Sequence, residues 1–452
     1  MMPKKIMAPA ALLKEFALTK REMRRIIKDF HGEMERGLCE KPSSLKMLPT
    51  YVDRPTGNER GAYIALDLGG TNFRVLTLEL KGKGRIAGLK VMKFAIPKKI
   101  MTGEGKELFL FLARSIKKFL LADRARLDKA IDLGFTFSFP IKQRSVASGD
   151  LVVWTKGFEA KGVVGMDVVG LLKEALMREG LSGIRVSALA NDTVGTLMAR
   201  AYSDPSCDVG VIIGTGTNAC YTESLEKIKK LQDLAGRSGH MIINIEWGNF
   251  NKLKATRYDR LLDEATDNPG CQILEKMVSG MYLGEVARLV LADLAKRSIL
   301  PCGSKFLAAF RKPMSLKSEY VSMIESDRSS GLSKMDALLN SLGVSGSSAE
   351  ERMLIKSACG IVSTRAAGIS ASAMAAVVTK IDPAVSKKHT IAIDGSVYEK
   401  HPGFSAKIKN ALKEILGRKA SRIRIVLSKD GSGKGAAIIA AVAAQKRGRP
   451  DA

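Results

Sequence analysis

YIALDLGGTNFRVLTLEL, residues 63–80, consists of two largely apolar runs joined by Gly69 and Gly70. This reads as strand, tight turn, strand, with the glycines giving the backbone a freedom that side chains would deny it. The pattern returns at 208–224 as DVGVIIGTGTNACYTES, whose Gly214 lies 147 positions after Asp67. A third strand, in HTIAIDGSVYE (389–399), and a fourth, in RIRIVLSKDGSGKGAAIIAAVAA (422–444), also end in glycine turns, the last running into an Ala-rich helix. Between the first two units come a helix, GKELFLFLARSIKKFLL (105–121), and a strand, AIDLGFTFSFP (130–140). One unit used twice, with helices between, predicts the α/β class and two similar lobes facing each other.

Size supports two lobes: 452 residues at 45% hydrophobic content exceed what one core usually holds. The opening MMPKKIMAPAALLKEF has too short an apolar stretch, broken by Lys14, for a signal peptide or membrane span, and no run of eighteen apolar residues follows. A soluble, intracellular protein is therefore expected. The six cysteines (39, 207, 220, 271, 302, 359) lack CxxC spacing and the four histidines do not cluster with them, which predicts free buried thiols rather than disulfides or a zinc site.

The formal charge of +27 alone would suggest a nucleic-acid or anionic-surface partner. Its cations, however, are spread through helical text such as KREMRRIIKDF (20–30) and KIKNALKEILGRKASRIR (407–424), with few aromatics beside them. A solvated basic surface and no specific nucleic-acid partner are expected, with weak association to an acidic partner or membrane face left open. Residues 19–37 carry apolar positions at helical spacing, and Gly37 reads as the terminator. The Ser- and Gly-rich stretch 321–350 reads as surface helices and loops.

Glycine turns expose backbone N–H groups that make nests for anions. DLGGTN (67–72) and GTGTN (214–218) would grip a polyphosphate from both sides, with Asp67 positioned to orient hydrated Mg²⁺. SKDGSGKGA (428–436) lacks the spacing of a P-loop, since Gly435 follows the lysine; a nucleotide-adjacent loop and a simple helix entrance both remain open there. In LANDTVGTLMARAY (189–202), Asp192 stands at the start of a helical run, as a helix cap or as a proton acceptor.

Ten stretches together resemble one family: KMLPTYVDRP (46–55), ALDLGGTNFRVL (65–76), LGFTFSFPIKQ (133–143), WTKGF (154–158), ANDTVGTLMA (190–199), IIGTGTNACY (212–221), INIEWGNF (243–250), DNPGCQILEKMVSGMYLGEVARLVL (267–291), AIDGSVYEKHPGF (392–404) and SKDGSGKGAA (428–437). In content, order and spacing they resemble the hexokinases, sugar kinases of the actin and heat-shock-70 ATPase superfamily. The resemblance implies two ribonuclease-H-like lobes with a ligand cleft between them. It divides the chain into an N-terminal helical segment on the large lobe (1–53), a small lobe (54–190), a large lobe (191–435) and a C-terminal helix returning to the small lobe (436–452).

The implied reaction is ATP-dependent phosphorylation of a hexose at its 6-hydroxyl, the first step of glycolysis, with glucose foremost and mannose or fructose also accepted. The resemblance places Ser138, Phe139, Thr155, Lys156, Asn191, Asp192, Asn218, Glu246 and Glu275 at the sugar, with Asp192 as general base and Lys156 also catalytic. It places Asp67, Gly69, Gly70, Thr71, Asn72 and Arg74 at one phosphate loop, Thr215, Gly216 and Thr217 at the other, and Gly395 and Ser396 near the adenosine. Mg²⁺ would be held by the nucleotide phosphates and water rather than by protein side chains. A monomer or homodimer in the cytoplasm, without a membrane anchor, is implied. Where IPEE is common in the family this chain has IPKK (96–99), in keeping with its basic surface. A catalytically weak sugar sensor of the same fold is the rival reading, and an ATPase or nucleic-acid-associated factor is a more distant one.

Overall fold

A computed structural model describes residues 10–70, 72–123, 130–231 and 238–447. Its strands in chain order are β1 (Leu48–Pro49), β2 (Arg60–Leu68), β3 (Asn72–Lys81), β4 (Ile86–Ala95), β5 (Ile131–Phe137), β6 (Ile141–Ser145), β7 (Ser148–Leu151), β8 (Ile184–Ala190), β9 (Cys207–Ile213), β10 (Thr217–Ser224), β11 (His240–Asn244), β12 (His389–Asp394) and β13 (Ile423–Leu427). One sheet has the order β4-β3-β2-β5-β8 and the other β1-β11-β10-β9-β12-β13, with β6 and β7 forming a separate hairpin.

The repeated sequence unit has become a repeated topology. In each sheet the strand entering the glycine turn, β2 or β9, pairs antiparallel with the strand leaving it and parallel with a strand from later in the chain, β5 or β12. The expected pair of α/β lobes is present. Burial fits the pattern: β2 ends in six consecutive buried residues and β9 is buried almost throughout, as strands covered on both faces require.

Each sheet has its own core. The larger one also takes in the N-terminal helices Ala10–Phe16 and Lys20–Leu38 and the 33-residue helix Ala349–Ile381. That long helix has the length and apolarity to cross a membrane, but 89% of its most apolar window is buried inside the protein. It is the central support of the larger lobe. Stretch 321–350 forms the helices Ser318–Ser326 and Ser333–Ser341 with connecting loops, which drop Val321, Ile324, Met335 and Leu339 into the same core.

A third core lies between the sheets. It joins Val194, Leu197 and Met198 of helix Asp192–Ala201 and Ala436–Val442 of the last helix, Gly431–Arg447, to residues from both sheets, including Ala65, Ala188, Cys220 and Ala392. The two helices cross at glycines: a Cβ on Gly435 would stand 1.9 Å from the Gly195 carbonyl oxygen, and one on Gly195 2.6 Å from that of Ser432.

Two sequence expectations need correction. Gly37 does not end its helix, which runs from an N-cap at Thr19, closed by a capping box with Glu22, to Leu38. Gly37 is needed instead for close approach, since a Cβ there would lie 2.5 Å from the Leu45 carbonyl oxygen. The cysteines are all free, but Cys271 is exposed and Cys39 half-buried; only the other four are buried thiols.

Candidate functional site

The first two residues of β10, just after the second glycine turn, fix two carboxylates. The Thr217 N–H donates to Glu275 Oε2 at 2.8 Å, and its hydroxyl accepts a bond from Trp247 Nε1 at 2.9 Å. Asn218 Nδ2 donates to Glu246 Oε1 at 3.2 Å and to Asn244 Oδ1 at 2.8 Å, and Asn244 Nδ2 donates to Glu246 Oε1 at 2.9 Å. Glu246 sits in the left-handed region (φ 56°) where β11 breaks into a short 3-10 turn, a strained conformation for a side-chain-bearing residue. Gly216 leaves room for Glu275, whose Oε2 would be 2.7 Å from a Cβ there.

Electrostatics bring a third carboxylate into this group. Burial raises the pKa of Glu246 above the ordinary carboxylate value, and the negative charge of Asp192 pushes it in the same direction. Glu275 is likewise raised by burial, with Glu246 adding to the rise and the Lys156 ammonium opposing it. Asp192, Glu246, Glu275 and Lys156 therefore share one field, although they come from four separate segments.

Asp192 is not the helix cap. That position belongs to Asn191, whose side chain accepts a bond from the Thr193 N–H at 2.9 Å. Asp192 is the first helical residue, and its Oδ1 accepts bonds from the Thr193 N–H at 2.8 Å and the Thr193 hydroxyl at 3.3 Å. The helix N-terminus favours a carboxylate there. With Oδ1 taken up by Thr193, Oδ2 is the oxygen to offer a ligand.

The smaller lobe contributes the loops after β5 and β7. Lys156, also left-handed (φ 58°), donates from Nζ to the carbonyls of Gly69 (2.8 Å) and Ser138 (2.7 Å), and lies 5.4 Å from the Phe139 ring centroid. Phe139 packs into an aromatic cluster with Phe137, Trp154 and Phe158. Thr155 and Lys156 are exposed. Among the described residues the buried Ser138 hydroxyl has no hydrogen-bond partner, an expensive arrangement unless a ligand supplies one.

At the first glycine turn, Asp67 Oδ2 accepts bonds from Arg74 Nε at 3.0 Å and from the Ser432 hydroxyl at 2.8 Å. Arg74 also pairs with Asp430. Burial opposes the Arg74 charge, but Asp67 and Asp430 outweigh it and raise the pKa further. Among the described residues no atom beyond its chain neighbours lies within 4 Å of the Cβ position of Gly70. Asn72 opens β3, and Thr71 lies outside the described residues. At the second turn Gly214 packs on Gly395, which adopts φ 115° and whose Cβ would fall 2.4 Å from the Ile213 backbone. Thr215 accepts a backbone bond from Met281, and Ser396 opens the short helix that follows Gly395. The turn at 428–431 is thus both a helix entrance and, through Asp430 and Ser432, part of the first glycine turn's surroundings.

Two hexokinase family models match in succession, one over residues 9–202 and the other over 208–442. The chain belongs to the hexokinase family. It is 43% identical to Hexokinase-2 of Oryza sativa subsp. japonica over 94% of this chain and 89% of the relative. With Hexokinase-7 of the same species it shares 41% identity, with 96% of each chain covered. Identity to Hexokinase-1 of Homo sapiens is 42% over 96% of this chain, which spans 48% of that longer protein. Among solved structures, a Schistosoma mansoni hexokinase complexed with glucose superposes with a TM-score of 0.84 at 36% identity, covering 95% of this chain and 97% of that one. The protein is accordingly a hexokinase, an enzyme that phosphorylates hexoses.

Several residues of this hexokinase site escaped the motif reading. Asn244 lies inside INIEWGNF and Asp430 and Ser432 inside SKDGSGKGAA, but nothing local marks them as partners of Asn218, Arg74 and Asp67. Asp394, whose pKa is raised by burial with Arg74 opposing and Asp430 and Glu399 adding, is a further carboxylate beside the first turn.

Proposed function

We propose that this hexokinase transfers the γ-phosphoryl group of Mg·ATP to the 6-hydroxyl of a hexose, glucose foremost, with Asp192 as general base. The reading rests on one observation: Asp192, Glu246 and Glu275 of the larger lobe share a field with Lys156 of the smaller, beside the buried hydroxyl of Ser138, which has no partner among the described residues. A hexose needs such directional partners for its ring hydroxyls, and a site built from them rejects analogues that lack those hydroxyls.

In the reaction the sugar oxygen attacks the γ-phosphorus, its proton passes to Asp192, and the bond from that phosphorus to the bridging oxygen breaks, releasing ADP. The two glycine turns offer backbone N–H groups to the phosphates, and Arg74 and Lys156 supply positive charge. Mg²⁺, carried by the phosphates and water, would neutralise charge developing on the transferring oxygens; Asp67, a hard oxygen donor at the first turn, suits its hydration shell. Most of the catalysis is positioning and charge stabilisation, to which a placed base adds about 10²- to 10⁴-fold.

The test is a coupled assay for hexose 6-phosphate with glucose and Mg·ATP, comparing the parent with Asp192→Ala. A folded variant with turnover reduced by about 10²-fold or more is expected. Full activity in the variant would refute the base assignment, and a parent that binds glucose without turnover would favour the sensor reading.

A further inference from the structure

Asn244 belongs to none of the roles assigned above, yet it bonds both Asn218 and Glu246, which also bond each other. It closes β11, is 6% exposed, and pairs by backbone register with Leu48 of β1 and Cys220 of β10, so its position is set by three strands. A hydrogen-bond inventory of the triad has a single solution. Asn218 has two amide hydrogens, and both are used: one on Asn244 Oδ1 at 2.8 Å, the other on Glu246 Oε1 at 3.2 Å. Asn244 in turn donates to Glu246 Oε1 at 2.9 Å. Turning the Asn244 amide over would set its oxygen against the Glu246 carboxylate and its NH₂ against the NH₂ of Asn218. The Asn218 oxygen already accepts the Ala219 N–H at 2.7 Å, which fixes that amide as well.

The geometry points to Asn244 as a positioning residue that dictates the polarity of this wall of the site. With the donors of Asn218 consumed and Glu246 Oε1 saturated, what Asn218 and Glu246 themselves leave for a ligand is acceptor capacity only: Glu246 Oε2 and the second lone pair of Asn218 Oδ1. Adjacent Glu275 has its Oε2 held by the Thr217 N–H, leaving Oε1, again an acceptor. The wall therefore selects a substrate that presents hydroxyl donors at this side and rejects one presenting only acceptors, such as a fluoro- or keto-substituted sugar. This rests on the proposed placement of the hexose against Glu246.

Asn244→Asp is the decisive variant, because it keeps shape while exchanging a donor for an acceptor. At neutral pH it sets a second carboxylate against Glu246 Oε1, and the KM for glucose should rise by about tenfold or more, with a smaller change in kcat. When the introduced carboxylate takes up a proton, its O–H restores the missing donor, so the variant's KM should fall back toward the parent value as pH is lowered. A residue that merely supported the fold would give no such pH-dependent recovery. Asn244→Ala, which cannot recover at any pH, is the companion, and Glu246→Gln is the control for the site itself. A glucose KM within twofold of the parent in both Asn244 variants, or a KM–pH profile in Asn244→Asp parallel to the parent's, would overturn the inference while Glu246→Gln still raised KM. An unchanged KM in Glu246→Gln would instead overturn the sugar placement. If Asn244→Asp fails to fold, Asn244→Ala carries the test through the separation of KM from kcat: an undiminished affinity refutes the role.

Discussion

Gly435→Ala sets two known effects against each other at one atom. Alanine is the better helix former by about 1 kcal/mol, and Gly435 lies within helix Gly431–Arg447, so propensity alone predicts stabilisation. Packing predicts the reverse. The new Cβ would stand 1.9 Å from the Gly195 oxygen, where about 3.0 Å is the closest approach that real Cβ atoms show, so the two helices must separate by about 1.1 Å. The obstacle is backbone and cannot swing aside. Overpacking of this kind costs about 1–3 kcal/mol, and a rigid obstacle belongs at the upper end, giving a net loss of about 1–2 kcal/mol and a fall in Tm of about 1–2 °C for a chain of this size. Gly195 lies one turn after Asp192 in the same helix, so the displacement reaches the proposed base, where a misplacement of about 1 Å costs on the order of 10²-fold in rate. Gly32→Ala is the internal comparison: it also lies in a helix, Lys20–Leu38, but its Cβ would meet only Arg36 Nη1 at 3.6 Å, so propensity should win and stability rise. Thermal unfolding and kcat at saturating glucose read both variants. A Gly435→Ala protein with Tm at or above the parent and kcat within twofold would refute the packing argument.

Ser138→Ala removes a buried hydroxyl that has no partner among the described residues, so unfolding stability without sugar should stay level or rise while the KM for glucose increases; a clear loss of stability with unchanged KM would contradict this. His389 is buried between Asp208 (2.7 Å) and Asp382 (3.3 Å), and although burial works against its charge, these bonds raise its pKa above 6.5. A raised folded-state pKa contributes stability that is fully present below the unfolded value and is lost as pH rises through the folded one. The stability difference between parent and His389→Gln should therefore shrink with rising pH above about 6.5; a constant difference from about pH 5 to about pH 9 would refute the charged pairing.

The glycine-turn hairpins were legible because their signal is local: the apolar runs on either side of Gly69–Gly70 and Gly214–Gly216 lie within about twenty residues. Helix Ala349–Ile381 was not, since a helix buried on nearly all sides has no polar face to give it a period. Motif content carried Asn218, Glu246 and Glu275, but not their pairing across the chain, Asn218 with Glu246 and Thr217 with Glu275. Ser432 bonds Asp67 across 365 positions, and Gly37 and Gly435 have meaning only through the backbone that presses on them. Asn191 and Asp192 show the limit at closest range: adjacent residues of similar shape divide capping and chemistry between them, and the backbone angles at Asn191 decide which does which.

The last helix has a consequence in time. It covers one face of the smaller sheet, whose final strand β8 ends at Ala190, but it begins only at Gly431, so the 240 residues 191–430 must be made before it starts. At about 5–20 residues per second, the nascent sheet waits roughly 12–48 s with Ala65, Leu76 and Ala188 uncovered. For this interval the growing chain carries an unfinished apolar face, a surface for chaperones on the ribosome, and the first glycine turn acquires its Ser432 partner only when translation has passed that point.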